Sequence, residues 1–452
     1  MDSIYVASMK DLVPVSKKGS IQDLKQALDS SDREAYYVLS VMSSLGKVDA
    51  DEGWSPLHMV TINSDNRYLF EAALRRTGSH SILKRTFDSR DLESLGDTVL
   101  HIITSNNDTV FFQSLVAVKP DLMRILANMR SDRDMLPLHH AVINNNNEMI
   151  DTLLGYTRPS NICSPYDCYT TVLNGALRVH NNDLVKRLLA DDYLCKNLIK
   201  NSRIPLHYAS RSEYETFELV YEACIRTGRS LMETNCEGST YFITMIRGKN
   251  VTAIKQVLKR PDFDSRLLTI PNKRRSSPLH WAAHMGLYEI CELLYPTYAA
   301  AGLLLNQNIP GCTTLALAAH GSSDRLSDYM AVIELLLRDP DTGHTLIDTD
   351  NCDGLSPLGQ AVSYGCAEIC EFLYDRMSSS QICKQTKRDG HSVLHRAVIR
   401  DKTEIIDAVL KDREKSIGLL DLCDAKGQTA LQLAKTRSQT VYEYLWKAVQ
   451  TF

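Results

Sequence analysis

Apolar residues along this chain fall into short blocks at helical spacing, and the blocks come in pairs. The first block of a pair is compact, as in Pro278-Leu279-His280-Trp281-Ala282-Ala283. The second is richer in leucine, with Leu153-Leu154, Leu188-Leu189, Leu293-Leu294 and Leu335-Leu336-Leu337 as its markers. A glycine or polar break divides the two, as at Gly286 and Gly365, and tight-turn dipeptides such as Asp353-Gly354 and Asp389-Gly390 follow the second. The pattern predicts helix, turn, helix, loop, and then the same again.

One leucine or phenylalanine in each first block indexes the repeat: Leu57, Leu100, Leu138, Leu173, Leu206, Phe242, Leu279, Leu315, Leu358, Leu394 and Leu431. The intervals are 43, 38, 35, 33, 36, 37, 36, 43, 36 and 37 residues. Two units are nearly copies, GLYEICELLY at Gly286–Tyr295 against GCAEICEFLY at Gly365–Tyr374. Two residues before the index, nine of eleven units carry Ser or Thr, for example Ser55, Thr98, Thr240, Ser356 and Thr429. A hydroxyl there can accept from the free amides at a helix start. Pro56, Pro137, Pro205, Pro278 and Pro357 come next, where a missing N–H is tolerated. Three residues past the index stands a small residue in eight units (Ala141, Ala176, Ala209, Ala282, Ala318, Ala361, Ala397, Ala434), so that helices can approach to roughly 8–10 Å.

Ser55-Pro56-Leu57-His58, Ser277-Pro278-Leu279-His280 and the variants Thr98-Val99-Leu100-His101 and Ser392-Val393-Leu394-His395 carry a resemblance. At a period of about 33 residues this motif is similar to the ankyrin repeat. The resemblance implies an all-α solenoid of stacked helix-turn-helix units joined by loops or short β-hairpins. One unit cannot bury its apolar face alone; stacking supplies the core. The expected layout is a degenerate capping repeat over 1–50, an array of about eleven units over 51–436 and a closing helix over 437–452. Ile21–Leu28 is the helix-like part of the first, and Val441-Tyr442-Glu443-Tyr444-Leu445-Trp446 of the last.

Composition narrows the function. Fifty-one basic against fifty-five acidic residues leave a near-neutral chain, which argues against nucleic acid as the main partner. No apolar run reaches the length of a membrane span, and Met1-Asp2-Ser3-Ile4-Tyr5 lacks the basic and apolar regions of a signal peptide. A cytoplasmic protein is expected, with its twelve cysteines reduced. Cys291 and Cys370 share one register of the second helix as small apolar side chains, and Cys163 with Cys168, like Cys366 with Cys370, lacks paired zinc-knuckle spacing. No cofactor is expected. His58, His101, His139, His207, His280 and His395 occupy one register on successive repeats, too far apart for a metal and suited to hydrogen bonding. No glycine-rich phosphate loop, nucleophile elbow or zinc-protease motif is present, so the chain reads as a non-enzyme. An enzyme built on the array is the rival, and would need a reactive group outside the repeat pattern.

Two 43-residue intervals hold insertions, near 77–91 and 321–327, which either touch a partner or are tolerated extensions. Lys273-Arg274-Arg275 forms a basic loop with Lys259-Arg260 upstream, either a grip for an acidic peptide or lipid headgroup, or a solvated turn. Ser277 beside it completes a basophilic kinase pattern but holds a cap position.

In ankyrin proteins partners meet the loops and uncommitted first-helix positions. By that resemblance, the exposed positions are three before the index and five or six after it. The first set reads Trp54, Asp97, Met135, Thr170, Arg203, Ser239, Ser276, Cys312, Leu355, His391 and Gln428; the second includes Ile62, Ile143, Val179, Met285, Tyr364 and Ile399. Candidate anchors for a protein partner are Trp54 with Ile62, Met135 with Ile143, and Met285 with Leu355 and Tyr364. Within the superfamily, Gly96–Ile102, Val118–Leu122, Leu136–Ala141, Leu173–Leu177 with His180–Val185, and Ser277–Ala283 resemble plant ankyrin proteins of defence, cell-death control and salt response. Those relatives continue into a C-terminal membrane domain, which this sequence, ending at Phe452, does not contain; membrane residence is therefore not carried over. The expected function is an adaptor, scaffold or inhibitor that binds proteins, with a bacterial host-directed effector or a lipid-headgroup adaptor as alternatives.

Overall fold

The computed structural model describes residues 97–451, apart from 132 and 167–169, together with Leu74. The expected capping repeat over 1–50, Trp54, Ile62 and the first insertion lie outside the described residues. The chain forms two compact units that divide between Leu231 and Met232.

In the first unit, helix pairs run Val99–Ser105 with Thr109–Val118, Pro137–Ile143 with Asn147–Tyr156, Val172–Arg178 with Asn182–Ala190, and Pro205–Ala209 with Tyr214–Arg226. In the second they run Tyr241–Arg247 with Val251–Leu258, Pro278–His284 with Tyr288–Ala300, and Thr314–Ala318 with Leu326–Leu336. Pro357–Tyr364 with Ala367–Asp375, Val393–Arg400 with Thr403–Leu410, and Ala430–Arg437 with Gln439–Thr451 complete it. Within each unit a first helix packs on its own second helix and on the first helix of the next repeat. The index residues from Leu100 to Leu394 are buried, and all eight alanines three residues on are wholly so. Leu431 is only half-buried, because no described repeat follows it.

The hydroxyl caps form as the sequence implies: Thr171, Thr240, Ser277, Thr313, Ser356, Ser392 and Thr429 each accept from the amide three residues later. The index-adjacent histidines complete the cap from the other side. The Thr98, Leu136, Ser277 and Ser392 amides donate to Nδ1 of His101, His139, His280 and His395. An Nδ1 that accepts leaves the proton on Nε2, and in three of the four rings that nitrogen reaches the next repeat. His101 Nε2 lies 3.0 Å from the Met135 carbonyl, His280 Nε2 3.0 Å from that of Asn306, and His395 Nε2 2.9 Å from that of Gln428. The histidine ladder thus ties repeats together.

A third helix follows many pairs, where the sequence reading had only a loop. Pro120–Leu126, Pro159–Ile162 and Asp192–Asn201 lie in the first unit; Pro340–Asp348, Ser379–Ile382 and Arg413–Leu420 in the second. Proline opens three of them, and Asp191, Asp339 and Asp412 cap three by accepting amides at the first turn. They bury Leu122, Met123, Leu198, Ile199, Leu346 and Leu419, which gives the loops a core of their own.

The turns between repeats are the other device. In the second unit Asn235, Asn272 and Asn351, and Asp424 later, each accept two amides of their own turn through Oδ1. Asn308 accepts one. Successive turns are then joined by single backbone hydrogen bonds: Lys273 N to Glu237 O (3.0 Å), Ile309 N to Arg274 O (2.8 Å), Cys352 N to Pro310 O (3.0 Å), Lys387 N to Asp353 O (2.9 Å) and Ala425 N to Asp389 O (3.0 Å). Gly238, Gly311, Gly354, Gly390 and Gly427 sit at one register with positive φ. At Gly311 an added Cβ would also fall 2.8 Å from the Cys352 amide, the donor of the joining bond, so glycine is required there twice over. Arg275, at φ 58°, takes the glycine's place in one turn.

Candidate partner-binding surface

Accessible residues of the first helices stand two, five and six positions past the index. His140, Ile143, Val179 and Tyr208 are half-buried there in the first unit, and Trp281, His284, Met285, His320, Arg396 and Ile399 in the second. Tyr364 is 57% exposed. Most of these positions were in the expected set, but only as an apolar series.

The other expected register is accessible at Arg203, which is exposed, and at Thr170, Met135, His391 and Gln428, which are half-buried, and is corrected at five others. Three residues before the index, Asp97, Ser239, Ser276, Cys312 and Leu355 are buried. Leu355, one of the candidate anchors, is only 9% exposed. Its side chain lies against Gly359, one helical turn on, where an added Cβ would meet Leu355 Cδ1 at 2.4 Å. This position ends the turn whose Asn or Asp accepts its amide, and the neighbouring turn covers it; Asn272 Nδ2 reaches Ser239 Oγ, and Asn308 Nδ2 reaches Ser276 Oγ. Met135 is half-buried and contributes its carbonyl to His101.

In the second unit four side chains from three successive first-helix segments, and one more from the repeat before, make a continuous stripe. The Arg247 guanidinium stands 4.6 Å from the centre of the Trp281 ring. Trp281 meets His284 edge-on at 6.1 Å, and His284 meets His320 edge-on at 5.6 Å. His320 stacks on Tyr364 with 4.0 Å between centroids and planes 21° apart. His320 Nε2 lies 3.1 Å from Gln360 Oε1, and burial lowers its pKa to about 4, so a neutral ring supports the tyrosine. Arg247 and His320 stand five past the index and were missed because the expectation followed apolar residues there; Trp281, two past the index, was missed because that register was not considered.

The basic turn is exposed at Lys273, Arg274 and Arg275. Lys273 Nζ donates to the Cys236 carbonyl at 3.0 Å, so part of its charge is used within the protein. Ser277 is buried in its cap. The second insertion folds back on its neighbour: Arg325 donates to the Met285 and Gly286 carbonyls at 2.9 and 3.1 Å, and Tyr329 Oη to that of His284 at 3.1 Å. Its side chains close the end of helix Pro278–His284.

Burial pushes the Cys291 and Cys370 thiols far up and that of Cys163 to about 11, which leaves them poor nucleophiles. The described cysteines are free thiols. Cys168 lies outside the described residues. Among the described residues no helix is long and apolar enough to cross a membrane.

Residues 275–302, which hold the Ser-Pro-Leu-His turn and the helix pair behind it, match the family model for the ankyrin repeat. That segment is similar to an ankyrin repeat. A curated protein of Mus musculus, the B-cell lymphoma 3 protein homolog, is 25% identical over 205 residues, 44% of this chain and 43% of that protein. The chain therefore spans less than half the length of that relative. Among solved structures, the ankyrin repeat domain of Bcl-3, described as a unique member of the IkappaB protein family, is similar over 54% of this chain and 98% of its own. Its sequence identity is 20% and the TM-score 0.39.

Proposed function

We propose that this chain is a non-catalytic protein-binding module that serves as an adaptor, scaffold or inhibitor. The observation that carries this reading is the stripe Arg247–Trp281–His284–His320–Tyr364, which turns π faces and a guanidinium outward from residues with no part in the repeat core. Tyrosine, tryptophan and arginine are the side chains that dominate protein interfaces: the two aromatics offer wide contact area at small entropic cost, and arginine adds a planar fork of donors. Tyr364 is held in advance by His320, so a partner that covers it need not order it. Among the described residues, Cys163, Cys291 and Cys370 are buried thiols with raised pKa, and His101, His280 and His395 are committed to caps and inter-repeat bonds. A role in defence or stress signalling, in the cytoplasm, is the setting that the sequence resemblance suggests.

Affinity capture with the wild-type chain, Tyr364→Ala and Trp281→Ala tests it. A specific partner should be retained by the first and lost from both variants at unchanged melting midpoint. Equal retention by all three would retire this surface.

A further inference from the structure

The first helices of the second unit, YFITMIR, PLHWAAH, TLALA, PLGQAVSY, VLHRAVIR and ALQLAKTR, contain no Asp or Glu. Their charges are Arg247, Arg396, Arg400, Lys435 and Arg437. By contrast, every second helix from Tyr288 to Leu410 carries at least two carboxylates. The chain is nearly neutral as a whole, so this is a segregation of charge between helix sets and not a basic protein.

Arg396 concentrates the imbalance. Its guanidinium is half-buried and donates to Ser363 Oγ at 3.1 Å, but it forms no ion pair among the described residues, and its Nε has no acceptor there. Burial works against its charge, and Asp389 and Asp353 act on it only through space. A partly desolvated cation without a contact anion is costly, and that cost is relieved when a carboxylate arrives. Arg400, one helical turn on, is exposed. Ser363, the residue that Arg396 touches, adjoins the exposed and stacked Tyr364.

We propose that the face formed by Tyr364, Arg396 and Arg400 holds an acidic segment of a protein partner, with an aromatic or apolar residue on Tyr364 and carboxylates on the two guanidiniums. This rests on the protein-binding reading and adds the chemistry of the partner. A protein segment fits better than a long polyphosphate, because the carboxylates of the second helices repel a polyanion that extends past the first-helix face.

The test pans a random dodecapeptide display library on the full chain at low salt, then measures recovered peptides by fluorescence polarisation. The expected result is enrichment of Asp and Glu beside Trp, Phe or Leu. Binding should weaken about tenfold or more for Arg400→Glu and for Arg396→Gln, as for loss of a charge-assisted hydrogen bond. Arg400 is exposed, so that variant should keep its circular-dichroism melt even if Arg396→Gln does not. Acidic peptides that bind Arg400→Glu as tightly as wild type overturn the proposal, as does recovery of no acidic peptide. Single-stranded poly(U) that binds wild type more tightly than the best peptide also overturns it. Non-acidic peptides that are lost on Tyr364→Ala would remove this proposal and leave the protein-binding reading in place; peptides that no variant affects would remove both.

Discussion

The two units solve one problem, the joining of successive repeats, by different chemistry. In the first, side chains do it. Asn144 Nδ2 donates to the Thr104 carbonyl at 2.8 Å, Asn146 Nδ2 to Asn107 Oδ1 at 2.7 Å, and Asn181 Nδ2 to Asn145 and Asn147 Oδ1 at 2.8 and 2.7 Å. In the second, the backbone adds single amide-to-carbonyl bonds between turns, beside side-chain bonds such as those of Asn272 and Asn308. A side-chain ladder depends on asparagine at each rung, and two of its acceptors, Asn107 and Asn145, hold a left-handed backbone that asparagine tolerates. A backbone ladder accepts almost any side chain at the tip and depends on the glycines that let turns approach. That freedom is what allows Lys273, Arg274 and Arg275 to occupy a tip without loss of the joining bonds.

Acid should act on both units through the histidines they share. Burial lowers the pKa of His139 to about 3 and of His280 to about 4, from an ordinary 6.5. The unfolded chain therefore takes up protons first. Stability is complete above about pH 6.5 and falls as pH drops towards those folded values, by about 1.4 kcal/mol per pH unit for each histidine. Urea melts between pH 7 and 4.5 should show this slope, and His280→Gln should flatten it. A melt insensitive to pH in that window would mean that the rings are solvated and the ladder absent.

The next largest effect separates the two devices. Gly311→Ala should cost about 2–3 kcal/mol, from a left-handed backbone that alanine resists and from a displaced joining bond. Gly427→Ala, with positive φ but nothing within 4 Å, should cost only about 1 kcal/mol. Equal costs, read from urea midpoints, would show that turn approach does not matter. In the first unit, Asn181→Ala removes two rung bonds and the cap on the Leu184 amide, and should cost about 1–2 kcal/mol. A neutral result would deny the asparagine ladder any weight. Smallest, and of opposite sign, Arg275→Gly should stabilise by up to about 1 kcal/mol, since it relieves φ 58° on a side-chain-bearing residue. A rise in melting midpoint checks it.

Much of this was legible in the residues. The hydroxyl before most index residues and the alanine after eight of them have one mechanical purpose each, and the structure uses seven of the hydroxyls as caps and buries Ala141 through Ala434 fully. The third helices could have been found from Pro120, Pro159 and Pro340 and from Asp191, Asp339 and Asp412, had loops been searched for caps. Exposure was harder. Leu355 and Cys312 look free in the sequence but are buried, Leu355 against Gly359 of its own repeat and Cys312 beside Gln360 of the next repeat. Tyr364 and His320 stand in different repeats, 44 residues apart in the chain, and nothing local announces that their rings stack.

The local code, then, decided everything that lies within one repeat: where helices start, which residue points inward, where a turn must be tight. These follow from hydrogen-bond demand and side-chain size over a few neighbouring residues. Tertiary structure alone decided what passes between repeats: which carbonyl a histidine reaches, which amide group lies on Cys312, and which cation is left half-buried without an ion pair among the described residues. Those depend on the distance between groups a full repeat apart, a quantity that packing sets and no window of sequence contains.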